Sequence, residues 1–123
     1  MFKTVLFPID QSKEALATSS KVIELALSQK SQLIVLAVIE DDCDENSVKT
    51  LLQLAREKVK QAGVSCDVIE RAGKPAFVIC DVADELNVDL IVMGTRGVNT
   101  EQEVESTAAR VIELAPCPVL VVP

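Results

Sequence analysis

Two short segments of this chain carry residue types suited to holding a small polar ligand. Pro8-Ile9-Asp10-Gln11-Ser12 closes one apolar run, and Met93-Gly94-Thr95-Arg96-Gly97 closes another. Asp10 can accept hydrogen bonds from a ribose hydroxyl or an adenine amine. It can equally accept from the free N–H groups that open a following helix. Gly94 and Gly97 permit positive φ and close approach of backbone to a ligand. Backbone N–H groups there, together with the N-terminus of the next helix, suit a phosphate. The plainer role of the same glycines is a tight strand-to-loop turn. Arg96 is the one cation in this loop, able to pair with a phosphate or with Glu101, Glu103 or Glu105. Ser106 and Thr107 can offer hydroxyls to phosphate or bond within their own helix. The spacing matches neither a GxxxxGK[ST] loop nor a GxGxxG fingerprint, so P-loop and classical dinucleotide readings fail.

Other chemistry is sparsely supplied. The chain has no His, and so lacks the usual general base and metal ligand. Carboxylate or Cys catalysis stays open on composition alone, but no catalytic residue and no metal site is assigned. Cys43, Cys66, Cys80 and Cys117 form no CxxC pair, and scattered single thiols read as reduced and mostly buried. The acidic run from Glu40 to Glu45 lacks the spaced oxygen ligands and central Gly of an EF-hand. It reads as a solvated loop leading to a helix cap near Asn46 or Ser47. A net charge of −7 repels nucleic-acid backbones and anionic membrane surfaces. The start of the chain is too short a run for a signal sequence, and no apolar stretch reaches membrane-spanning length. The expected location is the cytoplasm.

These segments must be positioned by the elements around them. Apolar residues make up 49% of the 123 positions, with three Phe and no Trp or Tyr. A core of Val, Leu, Ile and Ala suits parallel strands covered on both faces. The pattern predicts strands at Phe2–Pro8, Gln32–Ile39, Val64–Glu70, Asp89–Met93 and Val119–Val122, the first ended by Pro8. Between them it predicts four helices. The first runs from an N-cap at Ser12 to about Lys30, with Ala15, Ser19, Val22, Ile23 and Ala26 inward. The second spans Ser47 to Ala62 and is stopped by Gly63. The third begins at Pro75 and runs to Leu86, and the fourth covers roughly Glu103 to Leu114. Alternating units of this length demand a parallel sheet with right-handed crossovers, in one domain over residues 1–123. In such sheets ligands bind beyond the carboxyl ends of the strands, where strand order reverses. If the first and fourth strands are neighbours, the two segments face each other across one crevice.

Three stretches, in order, resemble the universal stress protein family. They are Val5-Leu6-Phe7-Pro8-Ile9-Asp10-Gln11-Ser12, then Gly73-Lys74-Pro75 leading to Asp89-Leu90-Ile91-Val92-Met93-Gly94-Thr95-Arg96-Gly97, then Ala115-Pro116-Cys117-Pro118-Val119-Leu120-Val121-Val122. The resemblance covers essentially the whole chain. It implies a three-layer, doubly wound α/β fold with a five-stranded parallel sheet in the order 3-2-1-4-5 and four helices. It implies a homodimer paired through Val119, Leu120, Val121 and Val122, which would cover an apolar sheet edge. It also implies ATP or AMP as ligand, with magnesium only alongside ATP. Pro8, Ile9 and Asp10 would line the adenosine side, and Val38 would meet adenine through its backbone. Met93, Gly94, Arg96 and Gly97 would begin the phosphate loop, with Ser106 and Thr107 beyond it.

The chain departs from the family pattern downstream. The family places nine residues after the second Gly, then Gly and Ser or Thr. Here seven residues follow Gly97, and Glu105-Ser106 come next. A carboxylate about 4 Å from a phosphate charge costs on the order of 4 kcal/mol at intermediate dielectric. AMP would suffer less than ATP, and cyclic nucleotides stay open. Two alternatives follow: a member that binds no nucleotide and acts through protein contacts, and an enzyme with slow ATP hydrolysis, for which no poised base is evident.

Overall fold

A computed structural model describes residues 2–9, 13–40, 44–94 and 107–123, and the side chains of the first helix from Thr18 onward. Five strands alternate with four helices: β1 (Thr4–Ile9), α1 (Lys13–Gln29), β2 (Gln32–Ile39), α2 (Glu45–Gln61), β3 (Ser65–Ala72), α3 (Pro75–Glu85), β4 (Leu90–Gly94), α4 (Thr107–Leu114) and β5 (Val119–Val122). The sheet is parallel, in the order β3-β2-β1-β4-β5. This is the expected doubly wound order.

Period-two alternation feeds two cores at once. Val5 and Phe7 of β1 and Leu33 and Val35 of β2 face α1 and α2. Leu6, Ile34 and Leu36, with Ile91 and Met93 of β4, face α3 and α4. Both faces of the central strands are therefore apolar, and their sequences read as unbroken hydrophobic runs. Ser19, Val22, Ile23 and Ala26 are buried along α1 at the expected helical spacing.

Several boundaries differ from expectation, each for a local reason. The α2 cap is Asp44, not Asn46 or Ser47. Its carboxylate accepts from the Asn46 N–H at 3.1 Å and from the Ser47 hydroxyl at 2.8 Å. Two neighbours of suitable type are thus consumed as donors to the cap. Gly63, at φ 86, ends that helix in the left-handed region. The third strand runs on to Ala72, because its ladder with β2 persists through Ile39↔Ala72. Gly73 closes it at φ 140, with its N–H donating to the Ile39 carbonyl. A Cβ there would stand 2.8 Å from Val78 Cγ2. The fourth helix is described from Thr107, so the expected start at Glu103 lies outside the described residues.

Asp89 joins the sheet at its amino edge. It sits just before β4, and its carboxylate accepts from the backbone N–H groups of Lys3 and Thr4 at 3.0 and 2.9 Å. Nearby, the Ser31 hydroxyl donates to the Phe2 carbonyl. β1 is thus pinned to both neighbours where it enters the sheet.

Candidate functional site

The strand order reverses between β1 and β4, which leave the sheet toward opposite sides. The crevice between their carboxyl ends is the place for a ligand in this architecture. Pro8 shapes it. The Thr4 carbonyl accepts from the Asp89 N–H on the β4 side, whereas the Lys3 carbonyl accepts from the Gln32 N–H on the β2 side. Strand alternation then turns the polar groups of Leu6 and Pro8 toward β4. Pro8 has no N–H to give. The β1–β4 register accordingly runs only through Val5↔Leu90 and Leu6↔Ile91. On its other side β1 pairs with β2 through Pro8↔Leu36 to Ile9↔Ala37. Pro8 therefore does not end the strand, as the sequence suggested. It ends one ladder of the strand, and it ends it at the crevice.

The same alternation fixes what the flanking strands present. Ile91 donates its N–H to the Pro118 carbonyl in the direction of β5. Val92 and Gly94 therefore turn their backbone polar groups toward β1, and Pro8 offers the Val92 carbonyl no donor. In β2, the Gln32 N–H points to the β1 side, so Val38 does too. β1 reaches only to Ile9, opposite Ala37. The Val38 carbonyl thus looks over the end of β1 at the carboxyl edge of the sheet.

The residues expected to bind fall into three groups. Pro8, Ile9, Val38 and Gly94 are half-buried at this edge, with Ile9 packed against the α1/α2 core and Val38 against the α3/α4 core. Met93 is 1% exposed and its side chain is committed to the core, so it can offer the crevice only its backbone. Thr107 is buried at the first position of α4. Asp10, Arg96, Gly97 and Ser106 lie outside the described residues, as do Glu105 and Cys43. Among the described residues no group of acidic or thiol side chains is arranged to hold a metal ion. None of the described helices is long and apolar enough to cross a membrane.

The described thiols are shielded rather than activated. Burial pushes the Cys66, Cys80 and Cys117 thiols above their ordinary value of 9.0. Neighbouring negative charge adds to this at Cys80, from Asp81, and at Cys117, from Asp89, while at Cys66 Arg56 opposes the rise more than Asp67 adds to it. Such thiols are poor nucleophiles at neutral pH. Sequence reasoning missed Asp89 as an anchor; the one available hint was a carboxylate placed directly before the fourth apolar run.

Known proteins share this geometry. A profile described as Universal stress protein family matches residues 1–123. The chain belongs to the universal stress protein family. It is 47% identical to the universal stress protein Sll1654 of Synechocystis, an alignment covering 100% of this chain and 87% of the relative. That alignment extends over 136 positions, more than this chain has residues, so the chain omits positions its relative carries. Two solved structures share the fold. A universal stress protein in complex with cAMP has a TM-score of 0.86 at 24% identity, covering 98% of this chain and 96% of that one. The universal stress protein from Archaeoglobus fulgidus in complex with dAMP has a TM-score of 0.79 at 21% identity, covering 99% and 98%.

Proposed function

We infer that this protein is a non-enzymatic, dimeric, cytoplasmic stress-response module that holds an adenine nucleotide between the carboxyl ends of β1 and β4. One observation carries the reading: the β1–β4 ladder stops at Leu6↔Ile91 because Pro8 lacks a donor. The interruption leaves backbone polar groups of Val92 and Gly94 facing the carboxyl edge of the sheet, where the Val38 carbonyl also looks, and Asp10 follows Ile9 in the sequence. Adenine would seat against Pro8 and Ile9 and donate its amine to the Val38 carbonyl. Asp10 would accept from the ribose. Gly94, Arg96, Gly97, Ser106 and Thr107 would receive the phosphate. Relatives of the same fold in complex with cAMP and dAMP, each carrying one phosphate, support this ligand class.

Glu105 favours AMP or a cyclic monophosphate over ATP, because added phosphate charge meets added carboxylate charge. The same residue favours a second reading, a family member that binds no nucleotide and acts through protein contacts. Thermal denaturation with adenosine, AMP, cAMP and ATP, with and without magnesium, separates the two. The proposed ranking is AMP or cAMP above ATP, with magnesium mattering only for ATP. No rise in Tm with any of the four at millimolar concentration would decide for the second reading.

A further inference from the structure

A cavity lies between α1, α2 and the face of the sheet that they cover. Its volume is about 320 Å³, within the range of small-molecule sites and about twice that of an apolar cavity that takes up benzene. Its floor is Phe7 and Val35, and its walls are Ile23, Leu51 and Val59. Among the described residues, the polar ones that line it are Ser19 of α1 and Lys58 of α2. They meet across the gap, the Lys58 ammonium donating to the Ser19 hydroxyl at 2.8 Å. No carboxylate among the described residues pairs with Lys58. The cation is therefore held at the rim of an apolar cavity by a neutral partner. At the same rim Leu54 is 60% exposed.

Small side chains contribute to the space. The inward face of α1 carries Ser19 and Ala26 among its buried positions, and the chain has no Trp or Tyr to fill the space. The charge around it is also distinctive. In a chain of net charge −7, α2 carries Lys49, Arg56, Lys58 and Lys60 against Glu45 and Glu57. An apolar interior with a cation at its mouth is complementary to an amphiphile with one acidic group. Neutral apolar molecules would leave the ammonium unused, and fully polar anions would leave the interior unfilled.

We propose that the cavity between α1 and α2 binds a small apolar carboxylate, of the medium-chain fatty acid class, with its chain against Phe7, Ile23, Val35 and Val59 and its carboxylate on Lys58. The cavity shares Ile9 with the crevice at β1 and β4, but its cation, Lys58, lies on α2, and the proposal does not depend on nucleotide being bound in the crevice.

Octanoate and its neutral counterpart 1-octanol test this by calorimetry on the full chain. Octanoate should bind saturably, one per chain, and more tightly than octanol. Lys58→Met keeps the aliphatic stem and removes the charge. It should weaken octanoate by about tenfold or more, the worth of a charge-assisted contact, and leave octanol unchanged. Ala55→Phe should fill the cavity and abolish both, while Lys58→Met keeps the test valid if that variant fails to fold. AMP at saturation should not displace octanoate. Absence of saturable octanoate binding, equal affinity for octanol, or an unaffected Lys58→Met variant would overturn the proposal. So would displacement by AMP, or a change of oligomeric state in Leu54→Asp, which would give the groove to a second copy of the chain.

Discussion

Among single residues, Asp89 has the most consequential partners. It receives two backbone N–H groups from the entry of β1. Removing that half-buried carboxylate leaves the part-buried Thr4 N–H without its acceptor and exposes the Lys3 N–H to water, a loss on the order of 1 kcal/mol. Asp89→Ala should lower the urea midpoint accordingly, and Asp89→Asn, which keeps an acceptor, should lower it less. The thiols titrate oppositely to the exposed carboxylates. The folded-state pKa values of Cys66 and Cys80 are raised above 9.0, chiefly by burial. Their contribution is therefore complete below that value and is lost as pH rises through the folded pKa. Brief iodoacetamide treatment at pH 7 should leave both unmodified in peptide maps. Rapid labelling of either would contradict the burial described. Asp44 and Glu85 lie below their ordinary 3.8 and 4.5, through hydrogen bonds from Ser47 and Arg71 respectively. What they contribute is present above those values and is lost as pH falls. Both are exposed, so the effect belongs to the acid limb alone and is small.

Among the elements, β1 is the informative one. Pro8 keeps its β2 ladder and forfeits its β4 ladder. Pro8→Val supplies the missing donor, facing the Val92 carbonyl. The new hydrogen bond is worth about 1 kcal/mol, and the loss of proline's rigidity in the unfolded chain costs about as much. Stability should therefore barely move. The new amide at position 8 should nonetheless be protected from hydrogen exchange, and nucleotide affinity should fall as the crevice closes. Free exchange of that amide would show that the ladder ends for another reason. The element pattern itself is legible in the sequence. β2 and β5 fall at the residues that their apolar runs mark, and Pro75 opens α3 as its fixed φ requires. Competition among equals is not legible. Asp44, Asn46 and Ser47 are all good caps, and only the folded chain shows two of them donating to the third. Likewise the alternation of a strand, not its composition, decides which neighbour loses the Pro8 donor. The cavity under α1 and α2 depends on how two helices seat on one sheet, which no local pattern encodes.

For the molecule as a whole, the sheet edge and the crevice are the surfaces that the proposed function assigns to partners. β5 is an edge strand in which Leu120 is 44% exposed, and a bare apolar edge invites pairing. The proposed homodimer would seat a second copy there, so Val121→Asp should shift sedimentation to the monomer. A variant that stayed dimeric would place the interface elsewhere. The other surface is the crevice, where Pro8 interrupts the β1–β4 ladder, and where adenine nucleotide is proposed to sit. Backbone chemical shifts of the isotopically labelled protein, followed through a titration with AMP, test that proposal at the residues themselves. Saturable changes should concentrate at Pro8 to Asp10 (the Pro8 carbonyl included), at Val38 and Ile39, and at Met93 to Gly97, with Ser19 and Lys58 unmoved. Changes confined to α2, or none at millimolar AMP, would contradict a nucleotide site at β1 and β4.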